Sequence, residues 1–251
     1  MEILDADDRK LSRYTQIRML GKGSFGEVKL AAEKITGDEV ALKFVRTLPS
    51  REGGGIPKAV FRELESLKQL QDGHRIVALR DAFPHDAELV LVFEYLPSDL
   101  GKLISGSTEN LPRSHVKAYA FMILDAVSHC HSCNIIHRDI KPSNILISSQ
   151  GGIKLADFGL ARVYDPANEA SMSHQVATRW YRAPELLFAS RHYTNAVDVW
   201  AVAAVIAELL LLRPLFPGQN DIDQIFKVFQ IMGTPTKENW PVCCCLHVVQ
   251  S

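Results

Sequence analysis

The 251-residue sequence has no excess of either charge: 28 Lys and Arg against 29 Asp and Glu leave a formal net charge of -1. No global basic surface therefore argues for nucleic acid as a partner. Cysteine is scarce, five in all, with Cys243, Cys244 and Cys245 consecutive. An odd number in that arrangement speaks against an extracellular disulfide framework and for a reducing compartment. Met1 to Lys10 carries Asp5, Asp7 and Asp8 and no apolar core, so no secretory signal of ordinary form is expected. Hydrophobic runs are short as well. The most apolar stretch, Val199 to Leu212, contains Glu208, follows Asp198, and falls below the ~20 residues a membrane span requires, so it reads as a buried helix. With no export signal, the cytoplasm or nucleus is the expected location. What is present is ordinary globular material, 47% hydrophobic and 23% charged, enough for one large or two small domains.

From Tyr14 to Val45, short alternating segments broken by glycine, with a turn at Ile35-Thr36-Gly37-Asp38, predict antiparallel strands. A glycine-rich loop spans Arg51 to Pro57, after which Val60, Leu64 and Leu67, with neighbouring Phe61 and Leu70, recur at helical spacing. Ile76 to Phe83 and Glu88 to Tyr95 read as a hairpin turning at Pro84-His85-Asp86. Beyond a hinge near 96–99 the period lengthens. Val116, Tyr119, Ala120, Ile123, Leu124 and Val127 share a helix face that Ser114 is placed to cap. Ile145-Leu146-Ile147 and Ile153-Lys154-Leu155 flank Gln150-Gly151-Gly152, a second hairpin signal. Cys130 and Cys133 form one metal-type pair near a helix end, and the terminal cysteines supply no matching second pair, so no structural zinc is expected.

Gly21-Lys22-Gly23-Ser24-Phe25-Gly26 fits a G-x-G-x-x-G pattern, in which glycines let a backbone approach phosphates; alone it marks many tight turns too. A dinucleotide fold would continue into a helix. Here Val28 to Ala32 leads through a turn into Val40-Ala41-Leu42-Lys43, a hairpin, which removes the footing for hydride transfer. Lys43 lies inside that apolar strand, either as an edge lysine facing water or as a charge paired and serving a ligand. Glu63, twenty residues on, is the candidate partner.

His137-Arg138-Asp139-Ile140-Lys141-Pro142-Ser143-Asn144, then Asp157-Phe158-Gly159 and Ala183-Pro184-Glu185, follow in order. With the glycine loop and the Lys43 strand they reproduce the protein-kinase signature set, and five motifs in sequence do not match by chance. The chain resembles the eukaryotic protein kinase family from roughly Tyr14 to Pro241. The resemblance implies an α+β, two-lobed fold: a small antiparallel lobe with one helix over 14–95 after an extension at 1–13, then a mainly helical but incomplete lobe over 96–241, then a divergent tail at 242–251. It implies an ATP- and Mg²⁺-dependent serine/threonine kinase acting on protein substrates. Asp139 would accept the substrate hydroxyl proton, Lys141 would steady the transferring group, Glu63 would hold Lys43 toward the phosphates, and Asn144 and Asp157 would hold Mg²⁺. Leu20, Val28, Ala41 and Leu146 would sandwich adenine, with Gly21, Gly23 and Gly26 over the phosphates and Phe93 behind. Glu94 to Leu96 would offer backbone hydrogen bonds, and Asp99 would take the ribose hydroxyls unless it only caps a helix.

Val176 to Glu185 resembles the cyclin-dependent and mitogen-activated group, which implies preference for proline after the acceptor. Phe83-Pro84-His85, Ser98-Asp99-Leu100 and Ser173 to Thr178 resemble the cell-cycle-related branch of the cyclin-dependent kinases. That likeness implies Ser173 as an activating phosphosite, clamped by Arg62, Arg138 and Arg162, and an upstream activating kinase. Phe25 replaces the tyrosine through which such loops are inhibited. Pro57 to Glu63 departs from the best-known cyclin-recognition sequence over most of its length, which leaves a cyclin or another activating subunit open. In the family an arginine from beyond Pro241 pairs with the glutamate at Glu185. Its loss, with the last helices, predicts reduced stability and exposed apolar faces. Ala203 replaces a family glycine, which favours helix locally and leaves open whether it crowds its neighbours. A second reading is a shortened, catalytically weak isoform that competes for nucleotide or partners.

Overall fold

A computed structural model describes residues 10–23, 26–47, 55–71, 73–164, 172–236, 238 and 240. Ser24, Phe25, Gly53, Gly54 and the tail from 241 lie outside these residues. Strands β1 (Tyr14–Gly23), β2 (Gly26–Glu33), β3 (Glu39–Arg46), β4 (Leu79–His85) and β5 (Glu88–Glu94) form an antiparallel sheet in the order β1-β2-β3-β5-β4. Period-two alternation divides its side chains. Val40, Leu42, Phe44, Val90 and Val92 pack with Tyr14 and Phe83 on one face, while Val45, Leu91 and Phe93 join the main core on the other. The second face is the one that also carries Ala41 and Lys43.

Helix α1 (Lys58–Gln69) covers that face by burying Val60, Glu63, Ser66 and Leu67. Phe61 points out of it, one position round from the buried stripe, contrary to the sequence expectation. The β4–β5 turn falls at Asp86, one residue beyond Pro84 and His85, which remain in strand. Proline is tolerated because β4 is an edge strand that owes hydrogen bonds on one side only. The stretch from Ile76 to Ala78, expected as strand, instead ties the two halves together. Val77 N–H donates to Leu155 O at 2.9 Å and Leu155 N–H to Arg75 O at 2.8 Å.

After β6 (Ser98–Asp99) come helices α2 (Leu100–Gly106) and α3 (Arg113–Ser132). Helix α3 begins behind Pro112, so Ser114 lies in its first turn and does not cap it. Its buried stripe is Val116, Ile123, Ala126, Val127 and Cys130, whereas Leu124 is exposed. Short strands β7 (Ile135–Ile136), β8 (Ile145–Ile147), β9 (Ile153–Leu155) and β10 (Arg162–Val163) follow; β8 and β9 form the expected hairpin and β7 pairs with β10. Helices α4 (Pro184–Leu187), α5 (Ala196–Leu211) and α6 (Asp221–Met232) complete the described chain. The apolar run of α5 is buried along one side only, since Val199, Leu210 and Leu211 are exposed. Ala203 is exposed on the same helix. No described helix is long and apolar enough to cross a membrane.

Candidate active site

Lys43 and Val28 pair across β2 and β3, which sets both on the sheet face toward α1 and the second lobe. There Lys43 Nζ reaches Glu63 Oε2 at 2.7 Å and Oε1 at 2.9 Å. The ion pair is real, and the edge-lysine alternative falls. Burial pushes the Glu63 carboxyl up, and the ammonium of Lys43 opposes that shift. Asp157 Oδ1 lies 3.9 Å from the same Lys43 nitrogen, with half of its side chain open to solvent. Phe158 is fully buried and meets the His137 ring edge-on at 4.8 Å, fixing the turn that carries Asp157.

Asp139 is held from both sides. Its Oδ1 accepts from Thr178 N–H at 3.0 Å and Thr178 Oγ1 at 2.9 Å; its Oδ2 accepts from Lys141 Nζ at 2.7 Å and Asn144 Nδ2 at 3.1 Å. Asn144 spends its amide nitrogen on Asp139 O as well, at 2.8 Å, which leaves Oδ1 as its unspent oxygen. Asn144 Oδ1 and the Asp157 carboxylate are hard oxygen donors that fit Mg²⁺, an ion that takes few protein ligands beside phosphates and water. The backbone of the Asp139 loop hangs on Asp198, whose Oδ1 accepts from Arg138 N–H and Oδ2 from His137 N–H, each at 2.8 Å. His131 Nε2 lies 2.9 Å from the same Oδ2.

The expected nucleotide residues fall on strands β1, β2, β3 and β5, on the segment after β5 and on β8. Val28, Ala41 and Leu146 are half-buried, Leu96 and Phe93 buried, and Leu20 sits at the irregularity where β1 slips register between Met19 and Gly21. Gly26 is needed for a reason other than phosphate access: a Cβ there would overlap the carbonyl oxygen of Phe44 on β3. Gly21 faces open space, as the phosphate reading requires, and Gly23 pairs with Gly26 across the hairpin. The side chain and the N–H of Glu94 are engaged within the protein. Its N–H donates to Ala78 O, and its carboxylate accepts from Ala78 N–H and Lys154 Nζ at 2.6 Å each, so at most its carbonyl serves a nucleotide. Asp99 caps α2 through Lys102 N–H at 2.9 Å and pairs with Lys102 Nζ at 3.0 Å, so the capping reading of this residue holds. A separate cavity of about 500 Å³, lined by Leu64, Leu67, Ile76, Leu79 and Lys154 among others, shares none of the expected nucleotide residues.

Arg138 is buried and adopts φ 67°; its Nε donates to Leu160 O at 2.7 Å and its Nη1 to Tyr193 Oη at 2.9 Å. Burial first, then the charges of Arg162 and Arg62, hold its guanidinium below the ordinary value. None of these three arginines has a carboxylate within 4 Å among the described residues. Ser173 is exposed, with its carbonyl bound by the Tyr193 hydroxyl at 2.6 Å. Next along the segment, Ala177 is left-handed at φ 65°, and Arg182 donates from Nη2 to Ala177 O and from Nε to Val176 O. Tyr181 donates to Glu208 Oε2 at 2.7 Å; burial pushes both groups up. Glu185, raised by burial, has no cation within 4 Å among the described residues. Sequence reasoning missed Thr178, Tyr193 and the role of Asp198. Only Asp198 announced itself, as a carboxylate at the head of the most apolar run.

The family model described as "Protein kinase domain" matches residues 14–244. Cyclin-dependent kinase 20 of Danio rerio is 47% identical over 231 residues, covering 92% of this chain and 67% of that protein. The Homo sapiens protein of the same name is 44% identical over the same length, covering 92% and 66%. Cyclin-dependent kinase D-1 of Arabidopsis thaliana is 44% identical over 234 residues, covering 93% and 58%. The chain thus spans about two thirds or less of its relatives' length. Among solved structures, the CAK complex from Chaetomium thermophilum bound to ATP-gamma-S contains a chain 39% identical with a TM-score of 0.86, covering 96% of this chain and 75% of that one.

Proposed function

Because this chain belongs to the protein kinase family and is cyclin-dependent-kinase-like, we propose that it transfers the γ-phosphoryl group of ATP to serine or threonine hydroxyls of proteins, and does so before proline. The observation that carries the reading is the Asp139 carboxylate, held by four donors from three residues, Lys141, Asn144 and Thr178. A carboxylate so placed can take the proton of an acceptor hydroxyl as its oxygen bonds to phosphorus and the bond to the ADP oxygen breaks. Lys141, 2.7 Å from that carboxylate, is placed to follow the moving negative charge, and Lys43, oriented by Glu63, to neutralise the phosphates left behind. Asn144 and Asp157 are the residues that would hold Mg²⁺, which when bound offsets phosphate charge.

Proline direction draws support from Ala177. Its left-handed backbone turns the carbonyl to Arg182, so that carbonyl is already taken and offers nothing to the amide of a residue after the acceptor. Proline has no amide to leave unpaired. The relatives are named cyclin-dependent kinases and the solved neighbour is a CAK complex, which supports a cyclin-like activating subunit and an upstream activating kinase as partners. A cytoplasmic or nuclear location fits such partners. The test is transfer to two peptides that differ only in Ser-Pro against Ser-Ala. Transfer to the first at least about tenfold faster is expected, the scale of one unpaired polar group; equal rates would reject proline direction, and no transfer to either would reject the kinase reading.

A further inference from the structure

We propose that the Tyr193 hydroxyl is a positioning group that couples phosphorylation of Ser173 to the catalytic loop, by holding the Ser173 backbone and the Arg138 guanidinium in one hydrogen-bonded chain. The proposal rests on the reading of Ser173 as the activating phosphosite. Tyr193 is buried among Ile136, Met172, Val176 and Val197, with its ring fixed by packing. A phenol has one proton to give, and the 2.6 Å bond to Ser173 O spends it. The 2.9 Å contact with Arg138 Nη1 must then run the other way, with the guanidinium donating. Arg138 also donates to Leu160 O in the turn that follows Asp157 and Phe158. One guanidinium therefore joins the loop of Asp139, the turn behind the metal-binding carboxylate, and the residue to be phosphorylated.

Both acceptors on Arg138 are neutral, so the side chain is oriented without being neutralised. Arg162 and Arg62 stand near enough to perturb it, and none of the three is paired with an acid among the described residues. A phosphate on Ser173 would supply the missing charge. Where it arrives depends on the Ser173 backbone, and that is what Tyr193 holds. The tie is made to a carbonyl rather than to the Ser173 hydroxyl, so it survives phosphorylation. Through Arg138 N–H on Asp198 the same residue is bonded to the support of the catalytic loop, one position before Asp139.

The test compares kcat/KM for a Ser-Pro peptide in the unphosphorylated chain and in the chain with phosphoserine placed at 173 during translation, each with Tyr193 and with Tyr193→Phe. Phenylalanine keeps the ring and its packing and deletes only the hydroxyl. The expected result is a phosphorylated-to-unphosphorylated ratio about tenfold lower in Y193F, the scale of one hydrogen bond to a charged group, with Mg-ATP affinity unchanged. An unchanged ratio, including an equal loss in both states, would overturn the proposal and reduce Tyr193 to packing. If phosphoserine does not activate the Tyr193 chain at all, the phosphosite reading fails and takes the coupling with it, an outcome distinct from the previous one. Amide-hydrogen exchange in the unsubstituted chain gives a readout that needs no variant. Phosphorylation should slow exchange at 172–178 and 137–140 together; protection of the first segment alone would contradict the coupling.

Discussion

Thr178 contributes two of the four donors on Asp139, one from its backbone and one from its hydroxyl. Thr178→Ala removes the second and keeps the first, so kcat should fall by about tenfold, the size of one charge-assisted hydrogen bond, while Mg-ATP affinity holds. Thr178→Ser should restore most of the loss; steady-state kinetics on the three proteins checks this. Glu185 makes a different case. Its folded carboxyl lies above the ordinary value of 4.5 because of burial, and no nearby cation among the described residues offsets the charge. A raised acid stabilises the fold below its unfolded value and loses that contribution as pH climbs through the folded one. Glu185→Gln should therefore raise the melting temperature at pH 7.5 and do so by less near pH 5, as thermal unfolding at the two pH values will show. At this scale the sequence declared the residues whose chemistry is unusual for their surroundings, such as Lys43 in an apolar strand. It hid Thr178 and Tyr193, ordinary residues that act through bonds to partners 39 and 20 positions away.

Glycine positions show how elements, rather than residues, set what is tolerated. Gly26 lies against β3, where any side chain would collide with the Phe44 carbonyl, whereas Gly21 opens onto free space. Gly26→Ala should thus lower both the melting temperature and Mg-ATP affinity, and Gly21→Ala should leave the melting temperature nearly unchanged; calorimetric unfolding and titration separate the two. The alternation of β3 and the helical stripe of α1 were legible because one buries every second residue and the other every third or fourth. The ends of elements were not. Ser114 is a good cap by type, yet Pro112 sets the start of α3, and Ile76 to Ala78 has strand composition but is claimed by bonds to β9. Such outcomes depend on distant partners that local pattern does not encode.

The whole molecule pairs a well-packed interior between the lobes with an apolar exterior on its last described helix. Ile222 is 82% exposed and Phe226 59%, and Ile231 and Met232 are exposed on the same helix. Surfaces of that kind favour association. Light scattering against concentration should show self-association for the native sequence and less of it for a chain carrying Ile222→Gln and Phe226→Gln, with activity per folded molecule unchanged.

Two lobes, one ion pair between β3 and α1, and one supported carboxylate make up the account of function, and the carboxylate is its centre. The most direct measurement is single-turnover transfer from saturating Mg-ATP to a Ser-Pro peptide by the native chain and by Asp139→Asn, with nucleotide affinity measured on both. The expected result is a transfer rate lower by about 10²- to 10⁴-fold in the variant with nucleotide affinity preserved. Equal transfer by the two proteins would contradict the assignment of Asp139 and, with it, the site.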